Sequence, residues 1–135
     1  MPRRHLIACF AVAAVAAACI SAPARAGGSV AIDIRPSGAG AEQAMRAGFG
    51  IYSIVNGIRG GAAITQVGTA NTAGIAQNGS GNQGIVHQQG SGHSGTVRQN
   101  GNGNAYGLFQ FGRDTGAAIV QDGDGETGAT VVYGW

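Results

Sequence analysis

Few side chains in this chain combine the types and the spacing that catalysis or metal binding requires. Beyond the first 26 residues the only imidazoles are His87 and His93. In the strand register that the sequence predicts, His87 points outward and His93 inward. A zinc site needs three or four converging ligands, so these two do not form one. Ser and Thr are scattered without a His–acid partner. The sequence predicts no enzyme, no cofactor, no metal site and no small-molecule substrate.

Carboxylates gather near the C-terminus at Asp114, Asp122, Asp124 and Glu126. The run D-G-D-G-E at 122–126 has the composition of a calcium-binding turn, but such turns recur in calcium-binding repeats and this run occurs once. One interpretation of the cluster is turn chemistry, because Asp suits tight turns. The other is that these charges slow the premature stacking of chains, since charge interrupts aggregation-prone segments.

The side chains that do recur are amides. Glutamine stands at six positions with an unbroken spacing of eleven: Gln66, Gln77, Gln88, Gln99, Gln110 and Gln121. A glycine follows each of them by two residues, and we predict that the turns centre on these glycines: Gly68, Gly79, Gly90, Gly101, Gly112 and Gly123. Five residues after a glutamine the position is mostly polar, with asparagine at Asn71, Asn82 and Asn104. A fixed period indicates a repeat architecture, and stacked amides both donate and accept hydrogen bonds.

An eleven-residue period has two structural interpretations. A right-handed helical supercoil repeats after eleven residues, at about 3.67 residues per turn. Each unit here contains two or three glycines, and each glycine costs a helix about 1 kcal/mol, so the helical interpretation fails. A short strand followed by a tight turn fits the runs N-G-S-G at 78–81 and N-G-N-G at 100–103, because Asn and Gly adopt positive φ.

Side chains alternate between two faces along a strand. In the segment 71–77, Asn71, Ile75 and Gln77 therefore share one face. The same register places an apolar residue on this face two positions before each glutamine: Ile64, Ile75, Val86, Val97, Leu108 and Ile119. We predict that this face points inward, so that the amides form hydrogen-bonded ladders and the apolar side chains form a row of their own.

One seven-residue strand spans about 23 Å and cannot bury its apolar face alone. Two successive 11-residue units folded back on each other make a 22-residue coil, and coils stack at about 4.8 Å. The predicted fold is all-β: an amyloid-forming β-solenoid with two parallel, in-register sheets, in which strands 22 residues apart pair. The predicted strands are 60–66, 71–77, 82–88, 93–99, 104–110, 115–121 and 126–133.

The full pattern Q-x-G-x-x-N-x-A-x-x-x-Q occurs at 66–77. It resembles the curlin repeat of the amyloid subunits of bacterial curli fibres, and the resemblance covers residues 60–135. It implies a β-solenoid that polymerises end to end outside the cell. The implied partners are further copies of the chain, other curlin subunits, and the curli secretion and assembly factors. Two sets of residues depart from the repeat: Gly84, Gly95 and Tyr106 in place of alanine, and His93, Thr115 and Glu126 in place of asparagine.

Both ends of the repeat are atypical, as expected of the terminal units of a solenoid. F-G-I-Y-S-I-V at 49–55 keeps the phase and is predicted to be a strand, so the solenoid is expected to span 49–135. The last strand ends in T-V-V-Y-G-W, without Lys or Pro to obstruct a docking strand, and we expect this end to template further chains. Residues 27–48 lie outside the period and are predicted to form a flexible leader, within which V-A-I-D-I could be a short strand and A-E-Q-A-M-R a helical turn or two.

The first 26 residues have the features of an export signal. Two arginines precede an apolar stretch at 6–20, and A-R-A at 24–26 is an A-x-A cleavage site whose small residues are Ala24 and Ala26. We therefore expect export through the inner membrane and a location on extracellular, cell-surface fibres. An alternative takes Cys19 as a lipoprotein site, although the leucine expected three residues before the cysteine is missing.

Cleavage after residue 26 would leave 109 of the 135 residues, with five arginines, no lysine and six acidic side chains, a net charge of −1. This charge gives no support for a nucleic-acid partner. Both cysteines would be removed and all 26 glycines kept. Because large apolar side chains are scarce, backbone and amide ladders are expected to carry much of the stability.

Two functions are compatible with this pattern. The first is a secreted structural subunit of extracellular curli-type amyloid fibres, which grows by edge templating and supports the biofilm matrix and cell adhesion. The alternative is a monomeric secreted β-solenoid that binds a surface such as ice or polysaccharide. Surface binding of that kind requires a regular outward row of side chains, and the outward triplets T-G-A, Q-I-H, S-T-R and A-G-F do not repeat.

Overall fold

A computed structural model of the chain describes residues 27–57 and 61–135. The predicted export signal, with Ala24 and Ala26, lies outside the described residues. Within them the chain forms, in order, β1 (Ser29–Ile34), α1 (Ala39–Val55), β2 (Ala62–Thr69), β3 (Thr72–Asn78), β4 (Gln83–Ser91), β5 (Ser94–Asn100), β6 (Ala105–Arg113), β7 (Gly116–Asp122) and β8 (Thr127–Gly134). No helix in this part of the chain is long and apolar enough to cross a membrane.

The strands from β2 to β8 form a β-solenoid. Successive strands alternate between sheet A, in the order β1-β8-β6-β4-β2, and sheet B, in the order β3-β5-β7. Each pairing among β2 to β8 is parallel and joins residues 22 apart, such as Gln66 with Gln88 in sheet A and Gln77 with Gln99 in sheet B. The predicted all-β solenoid, with its 22-residue coils and two in-register parallel sheets, is confirmed.

The seven predicted solenoid strands are all present, but the two sheets end their strands differently. In sheet B each strand ends one residue after its glutamine, as at Asn78 and Asn100. In sheet A, strands β2, β4 and β6 continue three residues past it, and Gly68 pairs with Gly90 inside the sheet. The predicted turn centre, two residues after the glutamine, is therefore wrong for sheet A, because a positive φ at these glycines bends the strand without ending it.

A second row of left-handed residues completes each turn, and only Gly81 and Gly103 of this row lie in the N-G-S-G and N-G-N-G turn sequences identified above. It lies four residues after each glutamine, at Ala70, Gly81, Gly92, Gly103, Asp114 and Gly125. The glycines two residues after each glutamine have a further constraint, since they stack closely on each other. A Cβ built on Gly101 would lie 1.9 Å from the carbonyl oxygen of Gly123, whereas one built on Gly103 would have nothing within 4 Å.

The interior of the solenoid is fully packed only in its middle coils. Val86 and Leu108 are completely buried, and Val97 nearly so. At the N-terminal end, where no strand covers β2, the side chain of Ile64 is 46% exposed. The apolar row therefore ends at a surface that is open to solvent.

Residues 49–55, predicted to be a strand, belong to α1, so that prediction is wrong. The segment 27–48, predicted to be a flexible leader, instead contains β1 and the first part of α1. A helix forms here because Met45, Phe49 and Tyr52 fall on one helical face. This face packs on the outside of sheet A, against small or apolar side chains of the four parallel strands: Ala63, Ile85, Ala105 and Ala129.

Helix α1 carries the chain from one end of the solenoid to the other. Near its middle, Arg46 donates to the carbonyl oxygens of Gly103 and Gly125, at 2.6 and 2.8 Å. Near its end, the Tyr52 hydroxyl lies 2.9 Å from Nδ1 of His87 on β4. The 17 residues of α1 extend about 25 Å, and β1 and β2 are separated by four strand spacings, about 19 Å. One helix therefore suffices to connect β1 with β2.

The stacked glycines yield a prediction about stability. Gly103→Ala should cost about 1–2 kcal/mol of unfolding free energy, because alanine disfavours a left-handed conformation. Gly101→Ala should cost clearly more, because the same strain is joined by a collision with the carbonyl of Gly123. Urea unfolding of the monomeric variants measures both values, and equal losses would contradict the close stacking.

Candidate functional site

The glutamines of sheet A form a directional amide ladder. Nε2 of Gln66 donates to Oε1 of Gln88, and Nε2 of Gln88 donates to Oε1 of Gln110, both at 2.8 Å. The position that would continue the ladder is Val132. Gln110 instead donates to Oγ1 and the carbonyl oxygen of Thr115, at 3.0 and 3.2 Å. This ladder is closed at its C-terminal end.

The ladder of sheet B has the same direction but stays open. Nε2 of Gln77 donates to Oε1 of Gln99 at 2.8 Å, and Nε2 of Gln99 donates to Oε1 of Gln121 at 2.7 Å. Among the described residues, nothing accepts a hydrogen bond from Nε2 of Gln121. At the opposite end of the solenoid, no described residue donates a hydrogen bond to Oε1 of Gln66.

Each inner glutamine also ties the two sheets together. The second N–H of Gln88 donates to the carbonyl oxygen of Thr72 in sheet B at 2.9 Å, and that of Gln99 donates to the carbonyl oxygen of Gln83 in sheet A at 3.1 Å. Both glutamine side chains are fully buried. A buried amide without partners costs about 1–3 kcal/mol, so the complete set of bonds is what allows amides to fill this interior.

The asparagines hold the corners of the coils. Nδ2 of Asn82 donates to the carbonyl oxygen of Gly101 at 2.9 Å, while its Oδ1 accepts the backbone N–H of Asn104 at 3.0 Å. Asn71 and Asn104 make the equivalent pairs of bonds. Each asparagine therefore joins its own corner to the corner of the next coil.

The two histidines lie on opposite faces of the sheets. His93 is buried inside, with Nδ1 2.7 Å from Oγ1 of Thr115, so this pair replaces an Asn–Asn step of the repeat. His87 points outward but is partly covered by α1 and by the rings of Tyr52 and Phe109. Among residues 27–57 and 61–135, no group of three or more His, Cys, Asp and Glu side chains is placed to hold a metal ion.

The C-terminal edge of sheet A, which the sequence predicts to be free for a docking strand, is occupied. Strand β1 pairs antiparallel with β8 from Ser29–Gly134 to Ile34–Ala129, so the expectation of an unobstructed edge at β8 is wrong. The cause is the alternation of V-A-I-D-I, which lies outside the repeat period but supplies a strand from elsewhere in the chain. In the described part of the chain, the uncovered edges are those of β2 and β3 at the N-terminal end and of β7 at the C-terminal end.

Asp33 anchors β1 to the end of the solenoid. Its Oδ1 accepts from the Tyr106 hydroxyl at 2.9 Å and from the Thr130 hydroxyl at 3.1 Å, and its Oδ2 accepts from Nε of Arg35 at 3.1 Å. Burial alone would raise the pKa of this carboxyl, but the three hydrogen bonds and the charge of Arg35 outweigh burial and lower it. Burial and the neighbouring Asp33 raise the pKa of Tyr106. The contact favours an ionised Asp33 facing a neutral Tyr106.

Comparison of the chain with protein-family models, curated proteins and solved structures gives no match.

The Asp33 contacts yield a prediction for the pairing of β1 with β8. Asp33→Asn should lower the hydrogen-exchange protection of the β1 amides by about twofold to fivefold at neutral pH, as expected for a partly exposed ionic contact. Because the folded-state pKa is lowered, the contribution of Asp33 is complete above its ordinary pKa of about 3.8 and is lost as the pH falls through the lowered value. The wild type and the variant should therefore converge in acid.

Glu42→Gln is the matched control, since it removes a carboxylate from α1 without touching β1. Unchanged protection in Asp33→Asn, or an equal loss in Glu42→Gln, would show that Asp33 does not hold the strand.

Proposed function

We propose that this chain is a secreted structural subunit of extracellular curli-type amyloid fibres, which grows by edge templating and supports the biofilm matrix and cell adhesion. The observation that carries the proposal is the open, directional ladder of sheet B. It presents an amide donor at Gln121 at one end of the solenoid, and the ladder of sheet A presents an amide acceptor at Gln66 at the other. Identical amide ladders continue across chains when strands stack in register.

The open edges supply the backbone part of this mechanism. An exposed edge strand presents unpaired N–H and C=O groups that pair readily with another chain, and monomeric proteins usually block such edges. At the N-terminal end, β2 and β3 are both uncovered, and Ile64 and Gln66 are exposed beside them. Docking of a further chain would bury these side chains and pair these edges at the same time.

The proposed partners follow from the resemblance to curlin repeats. They are further copies of the chain, other curlin subunits, and the secretion and assembly factors of curli. Export through the inner membrane and assembly at the cell surface belong to the same proposal. Its simplest test is whether the exported protein has been cut after Ala26.

Fibre formation decides between this function and surface binding by a monomer. On the outside of sheet B, stacked positions hold Thr72, Ser94 and Gly116 in one row and Ala76, Arg98 and Val120 in another. Neither row repeats one side chain, as ice or polysaccharide binding would require. The purified chain from residue 27 onward should form fibres that bind thioflavin and are visible by electron microscopy. A persistent monomer that binds ice or polysaccharide would contradict the proposal.

Glutamines at the ends of the ladders should matter most for fibre growth. Gln66→Ala and Gln121→Ala should slow seeded elongation more than Gln88→Ala and Gln99→Ala, because the outer amides complete their bonds only across a junction between chains. The central variants should instead lose folding stability, by about 1–3 kcal/mol for each amide left unpaired. Thioflavin-monitored growth from wild-type seeds measures the first effect and urea unfolding the second. Equal slowing by all four would show that the ladders serve only the folding of the single chain.

The acidic cluster near the C-terminus is expected to delay assembly. Asp122 accepts from Nδ2 of Asn100, and Asp124 accepts from the backbone N–H of Asn102 at 2.6 Å, so asparagine can replace both without loss of turn hydrogen bonds. Replacing Asp114, Asp122, Asp124 and Glu126 by Asn should shorten the lag of unseeded aggregation, because charge repulsion between docking chains is removed. An unchanged lag would leave turn formation as the role of these residues.

A further inference from the structure

The C-terminal end of the solenoid has one open half and one closed half. In sheet B, the outer edge of β7 is free and Gln121 offers an unused Nε2 donor. In sheet A, the outer edge of β8 is covered by β1. A second chain can therefore reach β7 directly but cannot pair with β8 while β1 is in place.

A groove lies beside β7 and has room for part of a further strand. Its volume is about 480 Å³, and it is lined by residues of β7 and by Asp33, Arg35 and Pro36, at the end of β1. Thr127, which also lines the groove, has a buried Oγ1 that finds no hydrogen-bond partner among the described residues. The groove therefore leaves space beside the free edge of β7, with the unpaired hydroxyl of Thr127 in its lining.

The number of half-repeats determines how a second copy must be oriented. Seven half-repeats alternate between the sheets, so the first, β2, and the last, β8, both lie in sheet A. The next half-repeat of a continued solenoid belongs beside β7, in sheet B. A second copy places its β2 there, and its β3 beside β8, only when it is turned by half a turn about the solenoid axis.

In this orientation the unused amide groups meet. Residues 55 apart in the sequence become neighbours, so Gln121 lies beside Gln66 of the second copy and Ile119 beside Ile64 of the second copy. Nε2 of Gln121 then donates to Oε1 of that Gln66, with the same direction as every bond within the chain. A copy without the half turn could stack its β3 on β7 only by placing its β2 where β8 lies.

Strand β1 stands in the way of this arrangement and is held along one edge only, by its backbone pairing with β8 and by the Asp33 contacts. It lies beside β8 where β3 of the second copy must lie, and it runs antiparallel in an otherwise parallel solenoid. All six of its residues are exposed, including Ile32 at 57%. Exchanging β1 for β3 of a second copy replaces one ladder of backbone hydrogen bonds by another, while the new contacts at β7 are gained in addition.

We propose that β1 is a removable cap. A second copy of this chain docks in the half-turn orientation on β7 and β8 only after β1 has left β8, and the capped monomer does not template growth. The inference rests on the proposed fibre function and adds to it the orientation of the junction and the segment that controls it.

A disulfide that locks β1 onto β8 tests the cap. Residues 27–135 contain no cysteine. Ile32 and Val131 lie opposite each other in the antiparallel pairing of β1 with β8, so Ile32→Cys with Val131→Cys introduces the only two cysteines of this region. The Cα atoms of such a pair lie about 4.5–5.5 Å apart, within the range of a disulfide. With wild-type seeds, the oxidised protein should elongate at least tenfold more slowly than the same protein with reductant, and the reduced protein should elongate as the wild type does.

The matched control is Gln89→Cys with Phe111→Cys, neighbours on the outer face of β4 and β6 that remain paired in both states. This disulfide should leave elongation unchanged. Equal growth of the oxidised and reduced cap variants would overturn the cap while leaving the fibre function intact. Failure of the wild type to form fibres would overturn the proposed function itself, and the cap with it.

The orientation of the junction has its own test. Val120 is exposed on β7, and the half turn places it beside Thr65 of the second copy, whereas a copy without the half turn would place it beside Ala76. Oxidised fibres of Val120→Cys with Thr65→Cys should give a series of covalent multimers on a non-reducing gel, and those of Val120→Cys with Ala76→Cys should not. The reverse result, or no multimers from either variant, would overturn the half-turn junction.

Discussion

The buried amide of each glutamine is the constraint on which the rest of the fold depends. A primary amide has two donors and an acceptor, and at Gln88 both N–H bonds and the carbonyl are satisfied, by the glutamines above and below and by a carbonyl of the opposite sheet. A slip of one residue would turn every glutamine to the outside. A slip of two would place amides against apolar side chains. The ladder therefore fixes the register of both sheets together.

The repeat made the solenoid predictable because stacking brings identical positions together. Strand order, sheet assignment and the inward face all follow from one spacing, and the pairing of Gln66 with Gln88 needed no other information. The different strand ends in sheets A and B could not be predicted in this way, because both sheets carry the same glycine two residues after the glutamine. In the second row of left-handed residues, Gly81 and Gly103 belong to recognisable turn sequences, whereas Ala70 and Asp114 adopt the same conformation without a glycine to indicate it.

The segments outside the regular repeat, which occur only once, were the hardest to predict from the sequence. The segment 49–55 keeps the phase of the repeat, and its helical spacing, Met45 to Phe49 to Tyr52, gains its advantage only from the small side chains on the outer face of sheet A. That face exists only after the solenoid has formed. Strand β1 has a clear alternation, but its partner β8 lies about a hundred residues away and pairs antiparallel. In the candidate site, the repeat pattern therefore did not predict the pairing of β1 with β8.

The path of α1 links the length of this helix to the height of the solenoid. The helix starts beside the last coil and ends beside the first, and its 17 residues cover the full height of sheet A. Adding one 22-residue coil would raise that height by about 4.8 Å, which corresponds to about three further helical residues. The 17 residues of the helix exceed the present height by about 6 Å, so one added coil would still be spanned, whereas a second would take the height to about 29 Å, beyond the reach of the helix. The length of a segment outside the repeats therefore sets an upper limit on the number of coils, which a simple tandem repeat does not have.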